Sequence, residues 1–193
     1  MPFILSIDHG RGARRSDPRD FTALFGVRYL PQLLCSDWRV ERYLRQRCSQ
    51  AHKRGAIDEL GLWLAQLHKK ELVEGPDIDI TIRWMDARMG YGLWTNSEIP
   101  AWHYIGEYTG VLRRRTLLKV DVNDYCFQYP RSWLGLRAFT IDSALQGNHT
   151  RFINHSDSPN VESRAFFHEG LFHIALRSIR AIPRGSQLTY DYG

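Results

Sequence analysis

The hydrophobic pattern of this chain changes its period at the Gly75-Pro76 pair, and this change constrains the fold more than any other feature of the sequence. Residues 17–72, before the pair, follow a helical pattern. After the pair, apolar and polar residues alternate from Ile78 to Trp84, which is typical of a half-buried strand. The sequence therefore predicts a helical N-terminal region at 1–76 and a β-rich domain at 77–193.

Two helices are predicted in the N-terminal region. Ser36 is the expected N-cap of the first helix, which runs to about His52. The second helix is predicted from apolar residues at helical spacing, namely Ile57, Leu60, Leu64 and Leu67. Residues 1–16 are basic and show no periodicity, so they are expected to form a loose start.

Short strands separated by Gly, Pro, Asn and Asp are predicted in the second part of the chain. They are expected at residues 102–108, 125–129, 138–141 and 171–176.

The composition restricts the classes of partner. The formal net charge is +5, and the first 75 residues carry most of it, with 13 Lys and Arg against 9 Asp and Glu. This charge could attract nucleic acid, but a solvated helix face is the favoured interpretation. The three cysteines have no zinc-binding spacing, and their sparse use fits a reducing compartment.

No export signal and no membrane-spanning segment are visible in the sequence. No apolar run approaches the roughly 18 residues that span a bilayer. No cleaved export signal is visible. We therefore expect an intracellular protein of the cytoplasm or nucleus, with no membrane partner, although a secreted effector with another kind of signal stays open.

Two glycine-containing segments are the first candidates for a site. The Gly-Tyr-Gly turn (Gly90-Tyr91-Gly92) could let backbone pass close to a ligand, with a plain β-turn as the ordinary alternative. Residues 105–110, which read Ile-Gly-Glu-Tyr-Thr-Gly, are a strand that ends in a glycine turn. By itself, Tyr108 at the end of this strand is better explained as a buried core residue than as a site residue.

Two further segments carry polar and aromatic residues in unusual arrangements. The Asn-His segment (residues 151–156, Arg-Phe-Ile-Asn-His-Ser) places Asn154 beside His155, which points to a binding site or to a polar turn before Pro159. The C-terminal tyrosine segment (residues 188–193, Leu-Thr-Tyr-Asp-Tyr-Gly) has Tyr190 and Tyr192 on one face of an extended chain. They could line a channel or belong to the core.

Together and in this order, the four segments resemble the SET-domain family. The resemblance covers roughly the last 105–115 residues, whereas the first 75 or so match no family that we can name. It implies an α+β fold with short curved sheets of the β-clip type and a C-terminal pseudoknot, in which the Asn-His segment threads under the C-terminal strand. It also implies a protein-lysine methyltransferase that uses S-adenosylmethionine.

The resemblance assigns roles to particular residues. Cofactor binding would belong to Gly90, Tyr91, Gly92, Asn154 and His155. The catalytic residues would be Tyr192 and Tyr108, and the lysine channel would be lined by Tyr125, Phe127 and Tyr190. It further implies that Tyr190, two residues before Tyr192, holds the product mainly at monomethyl-lysine, where a Phe would admit more methyl groups.

Aromatic residues suit this chemistry for a physical reason. A lysine amine must lose a proton before it can attack, and its ordinary pKa is about 10.4. A dry aromatic channel disfavours the ammonium form, and tyrosine rings attract the incoming cation by about 0.5–2 kcal/mol. No metal is required for this reaction.

The sequence departs from the family pattern after the Asn-His segment. Many members have a zinc-binding Cys where Asp157 stands here, and three more beyond the last glycine, so no zinc site is predicted. The histidines His149, His155, His168 and His173 also lack metal-ligand spacing. Another element must then close the lysine channel: the N-terminal helices, a second subunit in a homodimer, the substrate, or chain beyond Gly193. Met89, before the Gly-Tyr-Gly turn, is a smaller departure.

Three functions follow from these observations. The first is an enzyme that methylates a histone or another basic protein. The second is a catalytically silent SET-like module that binds a partner. The third, a nucleic-acid binder, is disfavoured because the basic N-terminal region has no recognised motif.

Overall fold

The N-terminal part of the chain is mainly helical. The computed structural model describes residues 4–115, 123–129 and 139–193. Within these ranges the helices are α1 (Phe21–Phe25), α2 (Trp38–Lys53), α3 (Glu59–Leu67) and α4 (Lys69–Glu74).

Helix α2 confirms the first predicted helix but begins at a different cap. The Asp37 carboxylate accepts hydrogen bonds from the backbone N–H groups of Arg39 and Val40. Asp37 is therefore the N-cap, and the prediction of Ser36 is wrong by one residue. A carboxylate at this position also complements the positive end of the helix dipole.

Helix α3 confirms the second predicted helix but buries a different face. The Asp58 carboxylate caps it by accepting from Gly61 N–H at 2.7 Å. Leu64 is fully buried, whereas Leu60 and Leu67 are each 47% exposed. The apolar spacing thus identified the helix, but not the side that packs against the sheet.

The remainder of the described chain consists mainly of short strands. In the N-terminal part these are β1 (Ile4–Asp8), β2 (Arg14–Arg15), β3 (Arg28–Tyr29) and β4 (Leu34–Cys35). They are followed by β5 (Asp79–Asp86), β6 (Gly90–Thr95), β7 (Tyr104–Glu107), β8 (Val111–Arg114), β9 (Cys126–Gln128) and β10 (Phe139–Asp142). The last are β11 (Gln146–Gly147), β12 (Asn154–His155), β13 (Val161–His168), β14 (Leu171–Ser178) and β15 (Gln187–Tyr190).

These strands form three sheets in the described part of the chain. The largest follows the order β2-β1-β5-β6-β15-β13-β14-β7, with β12 also paired to β15. A second sheet has the order β4-β8-β10-β9, and β3 pairs with β11. The predicted strands at 102–108, 125–129 and 171–176 correspond to β7, β9 and β14. The prediction at 138–141 corresponds to β10, but residue 138 lies outside the described residues.

The N-terminal region is not helical throughout. Strand β1 runs parallel to β5, with Leu5 and Ile7 buried on the core side. The predicted loose start is therefore wrong for Ile4–Asp8, while residues 1–3 lie outside the described residues. The division of the chain into an N-terminal region at 1–76 and a domain at 77–193 stays a prediction. Strands β1 and β3 of the N-terminal region both pair with strands beyond residue 76.

Strand β5 is present as predicted, but its burial does not alternate strictly. Thr81 is 1% exposed although it lies between the buried Ile80 and Ile82, and Trp84 is 41% exposed. Thr81 is buried because β5 lies inside the sheet, between β1 and β6, and both of its faces are covered in its first half. No helix in the described ranges is both long and apolar enough to cross a membrane.

Gly110, which directly precedes β8, is required by close packing. A Cβ added to Gly110 would lie 2.5 Å from the backbone oxygen of Asp142, which cannot move without shifting β10. This contact places the connection between β7 and β8, which carries Tyr108, against the end of β10 and explains why a glycine stands at position 110.

Burial of His149 predicts that the protein loses stability in mild acid. The ring is 1% exposed, Nε2–H donates to the Ile105 carbonyl at 3.1 Å, and burial lowers the pKa of His149 to about 4. An unfolded histidine binds a proton near pH 6.5, so the neutral native ring stabilises fully above that pH and loses roughly 3 kcal/mol towards pH 4. Urea unfolding from pH 4 to 7.5 should show this slope, and His149→Gln should reduce it. An unchanged slope in the variant would contradict the assignment.

Candidate active site

Strand β15 brings the separated segments to one place. It pairs in parallel with β12, so that Asn154 lies beside Thr189 and His155 beside Tyr190. On its other side it pairs with β6, which begins with the Gly-Tyr-Gly turn. The sheet therefore joins the Gly-Tyr-Gly turn, the Asn-His segment and the C-terminal tyrosine segment, as the predicted pseudoknot requires.

Asn160 stabilises this arrangement because its side chain hydrogen-bonds to the backbone of β15 as a neighbouring strand would. Its side-chain Nδ2 donates to the Gln187 carbonyl at 2.8 Å, and its Oδ1 accepts from Thr189 N–H at 2.9 Å. Its hydrogen-bonding role was not predicted, although an Asn directly after a Pro is a signal for such a turn.

A cavity of about 610 Å³ opens beside these strands. Its lining includes five of the predicted site residues, namely Gly90, Tyr91, Tyr125, Asn154 and Tyr192. Other lining residues were not predicted, and among them are Leu24, Phe25, Val27, Arg88, Leu145 and Phe152. The volume and the mixture of aromatic and polar groups suit a small-molecule ligand.

Asn154 and Gly92 shape the polar end of this region. Asn154 Nδ2 donates to the Tyr91 carbonyl at 3.3 Å and lies 3.6 Å from the sulfur of Met85. A Cβ on Gly92 would lie 2.7 Å from that sulfur and 3.2 Å from Asn154 Nδ2. Glycine at position 92 therefore leaves the Asn154 amide in place.

Five aromatic residues assemble next to the cavity. The Tyr108 hydroxyl donates to the Tyr125 carbonyl at 2.7 Å, and the Tyr108 ring lies 5.3 Å from that of Phe127. Phe127 stacks with Tyr190 at 6.4 Å, and Tyr190 lies 4.7 Å from Tyr192. We call these residues the aromatic cluster. Every residue predicted to act in catalysis or to line the channel belongs to it.

The hydroxyl groups of this cluster are held in the neutral form. Burial raises the pKa of Tyr108, Tyr190 and Tyr192, and neighbouring tyrosines add to the increase at each. A neutral phenol can both donate and accept a hydrogen bond. Tyr192 uses its donor on the Ile153 carbonyl at 3.0 Å, which fixes the direction of its hydroxyl.

Arg151 contacts the aromatic cluster at Tyr125. Its guanidinium lies 3.9 Å from the centre of the Tyr125 ring, and its Nε donates to the Ser143 carbonyl at 2.9 Å. A cation over an aromatic face is favourable, most of all when partly desolvated. The first residue of the Asn-His segment thus holds the loop that carries Tyr125.

His155 occupies a different position from its partner Asn154. It is exposed and outside the lining of the cavity, and its Nδ1 accepts from Tyr192 N–H at 3.2 Å. The ring lies 5.3 Å from the Tyr192 ring. In this structure the side chain of His155 fixes the backbone of Tyr192. A group of three or more His, Cys, Asp or Glu side chains placed to hold a metal is not found in residues 4–115, 123–129 and 139–193.

Comparison with known proteins identifies the class. The SET domain family model matches residues 90–193, more than half of the chain. The chain therefore belongs to the SET-domain family, and its fold is that of a SET domain.

Particular relatives and solved structures are similar to this chain over part of its length. Histone-lysine N-methyltransferase 2B of Homo sapiens is 35% identical over 109 residues, which are 53% of this chain and 4% of that protein. A crystal structure of Arabidopsis thaliana SUVH6 in complex with SAM matches with a TM-score of 0.52 and 30% identity, covering 61% of this chain and 28% of that one. KRYPTONITE in complex with mCHH DNA, H3(1-15) peptide and SAH gives a TM-score of 0.51 and 31% identity, covering 61% and 24%. This chain thus spans under a third of each of these proteins.

The hydroxyl of Tyr108 should contribute to stability. It is buried and donates to the Tyr125 carbonyl, which also accepts from Ser143 N–H at 3.1 Å, so Tyr108→Phe removes one of two hydrogen bonds to that carbonyl and should lower the free energy of unfolding by about 0.5–1.5 kcal/mol. Urea unfolding measures this, with Tyr43→Phe on a half-buried ring outside the cluster as the control. Equal stability of Tyr108→Phe and the wild type would show that the hydrogen bond contributes nothing.

Proposed function

We propose that this chain is a protein-lysine N-methyltransferase that transfers a methyl group from S-adenosylmethionine to a lysine side chain of a histone or another basic protein. The observation that carries the proposal is the position of the aromatic cluster directly beside the 610 Å³ cavity. Tyr125 and Tyr192 belong to both. A ligand in the cavity and a lysine among the tyrosines would therefore meet at these two residues.

The residues of the cavity fit the proposed cofactor. The Asn154 amide and the backbone carbonyl of Tyr91 offer partners for an amino-acid group, and Gly92 leaves room for the side chains of Met85, Gln187 and Asn154 to pack beside that carbonyl. Gly90 begins β6 with a φ of +70°, a conformation that favours glycine, and His155 holds the backbone of Tyr192 at the edge. When bound, S-adenosylmethionine supplies an electrophilic methyl group on a sulfonium.

The aromatic cluster would prepare the lysine. A lysine amine beside the buried rings of Tyr108 and Tyr190 would lie in partly apolar surroundings that disfavour the ammonium form, so it would give up its proton more readily. The hydroxyl of Tyr192 donates to the Ile153 carbonyl, which leaves its oxygen lone pairs to orient the amine. Catalysis would come mostly from positioning, which can contribute about 7–11 kcal/mol.

The names of the relatives support the substrate class and the place of action. Histone-lysine N-methyltransferase 2B is named for histone lysines, and the KRYPTONITE complex contains an H3(1-15) peptide. We accordingly propose action on chromatin. We also propose that residues 77–193 form the catalytic SET domain and that residues 1–76 form an N-terminal region whose strands β1 and β3 pair with it. A second subunit in a homodimer is one way to close the lysine channel. Measuring the molecular mass in solution tests whether the chain forms a dimer.

Incubation with labelled S-adenosylmethionine tests the activity. Purified histones and total cell protein serve as acceptors, and label should appear on lysine. A chain that binds S-adenosylmethionine but labels no protein would instead be the silent binding module. A chain that neither binds it nor gains thermal stability from it would overturn the assignment.

Tyr192→Phe should separate catalysis from binding. The substitution removes a hydroxyl that orients the amine while the ring stays in place, so turnover should fall at least about 30-fold and the Kd for cofactor should change less than threefold. Single-turnover assays and calorimetry measure the two quantities. His168→Gln, far from the cavity, is the control and should match the wild type in both. Unchanged turnover in Tyr192→Phe would remove Tyr192 from the catalytic group.

Tyr190 should limit the number of methyl groups. It is 6% exposed and packed between Phe127 and Tyr192, so its hydroxyl occupies space that a methylated amine needs for a second transfer. A bias of about 1.4 kcal/mol slows that step tenfold. We expect mainly monomethyl-lysine from the wild type and a shift towards dimethyl- and trimethyl-lysine from Tyr190→Phe, measured by mass spectrometry. Dominant trimethyl-lysine from the wild type would contradict this role.

A further inference from the structure

One wall of the cavity comes from a segment far from the rest of the site in sequence. Residues 24–27, at the end of α1 and just after it, line the cavity together with residues of the Gly-Tyr-Gly turn and the Asn-His segment. They precede the part of the chain that matches the SET domain model by more than 60 residues. We call residues 21–29 the N-terminal wall.

The N-terminal wall is joined to the site by aromatic packing. The Phe25 ring lies 5.1 Å from Tyr91 and 4.8 Å from Phe152, edge-on or tilted in each case. Behind it, the fully buried Phe21 lies 5.2 Å from Phe25 and 6.0 Å from Phe152. Such pairs add about 0.5–1.5 kcal/mol each to the gain from burial, so the position of Phe25 is fixed by the core.

Backbone pairing fixes the other end of the wall. Arg28 N–H donates to the Leu145 carbonyl at 2.9 Å, and β3 runs parallel to β11. Leu145 itself lines the cavity. Between the two anchors, Gly26 takes a φ of +66° and turns the chain at the end of α1. The wall is therefore a rigid part of the pocket.

A second contact from the N-terminal region reaches the same tyrosine. His9 Nδ1 and the Tyr91 hydroxyl are hydrogen-bonded at 2.7 Å. The Asp8 carboxylate shapes the turn that carries His9 by accepting from the N–H groups of Gly10 and Gly12. Tyr91 is thus held by His9 on one side and by Phe25 on the other.

We infer that the N-terminal wall is a binding surface of the cofactor pocket, with Phe25 in contact with the purine nucleoside part of the ligand; this rests on the proposed function. The surface that Leu24, Phe25 and Val27 offer is apolar and uncharged. The amino-acid end of S-adenosylmethionine is charged, and its purine ring is the large planar surface that an aromatic wall suits. The Asn154 amide, which also lines the cavity, is a polar partner for the charged end.

Calorimetry with three probes tests the inference. S-adenosylmethionine and S-adenosylhomocysteine carry both ends of the cofactor, and 5′-methylthioadenosine carries the nucleoside without the amino acid. Phe25→Ala should weaken all three by a similar factor of about tenfold, because the lost contact is to their common part. Phe25→Leu, which keeps an apolar side chain, should lose less.

Two further variants separate binding from folding. Leu24→Ala changes a residue of the wall that is 38% exposed, so it should lower affinity a few-fold while the melting temperature of the free protein stays unchanged. Phe167→Ala removes a half-buried ring outside the cavity and should leave all three affinities unchanged.

The outcomes distinguish this inference from the proposed function. A wild-type chain that binds none of the three probes overturns both. Wild-type binding that Phe25→Ala and Leu24→Ala leave intact overturns the inference alone. Loss of affinity for the two complete ligands, but not for 5′-methylthioadenosine, would move Phe25 away from the nucleoside and also overturns it.

Discussion

The parallel pairing of β12 with β15 is the constraint on which the site depends. Only two residues of each strand pair, but the Asn160 side chain strengthens this pairing with two more hydrogen bonds to the backbone of β15. Since β15 also pairs with β6, a single strand of four residues positions the Gly-Tyr-Gly turn, the Asn-His segment and the C-terminal tyrosine segment. Disrupting it would separate the cavity from the aromatic cluster.

The chemistry of the site follows from what this pairing buries. Bringing Tyr190 beside Phe127 and Tyr108 removes water from the phenols, which raises their pKa and keeps them neutral. Under the proposed function, the same burial would disfavour a lysine ammonium beside these rings. Burial would then have two consequences that act together: hydroxyls able to accept from an amine, and an amine more ready to lose its proton.

The N-terminal region is part of this arrangement. Strand β1 extends the large sheet, β3 pairs with β11, and α1 packs Phe25 against Phe152 of the Asn-His segment. The cavity thus draws on residues from 24 to 192. The part of the chain that the sequence could not relate to any family supplies contacts that the matched part lacks by itself.

The sequence by itself determined the family, the two main helices and the identity of the aromatic cluster, because periodicity and short motifs are local properties of a chain. Only the tertiary structure decided that Ile4–Asp8 forms a strand and which face of α3 is buried, because both depend on distant partners. The same holds for the side chain of His155, which faces the Tyr192 backbone rather than the cavity, and for Phe25. Long-range contacts leave no periodic signal, so they could not be read from the order of residues.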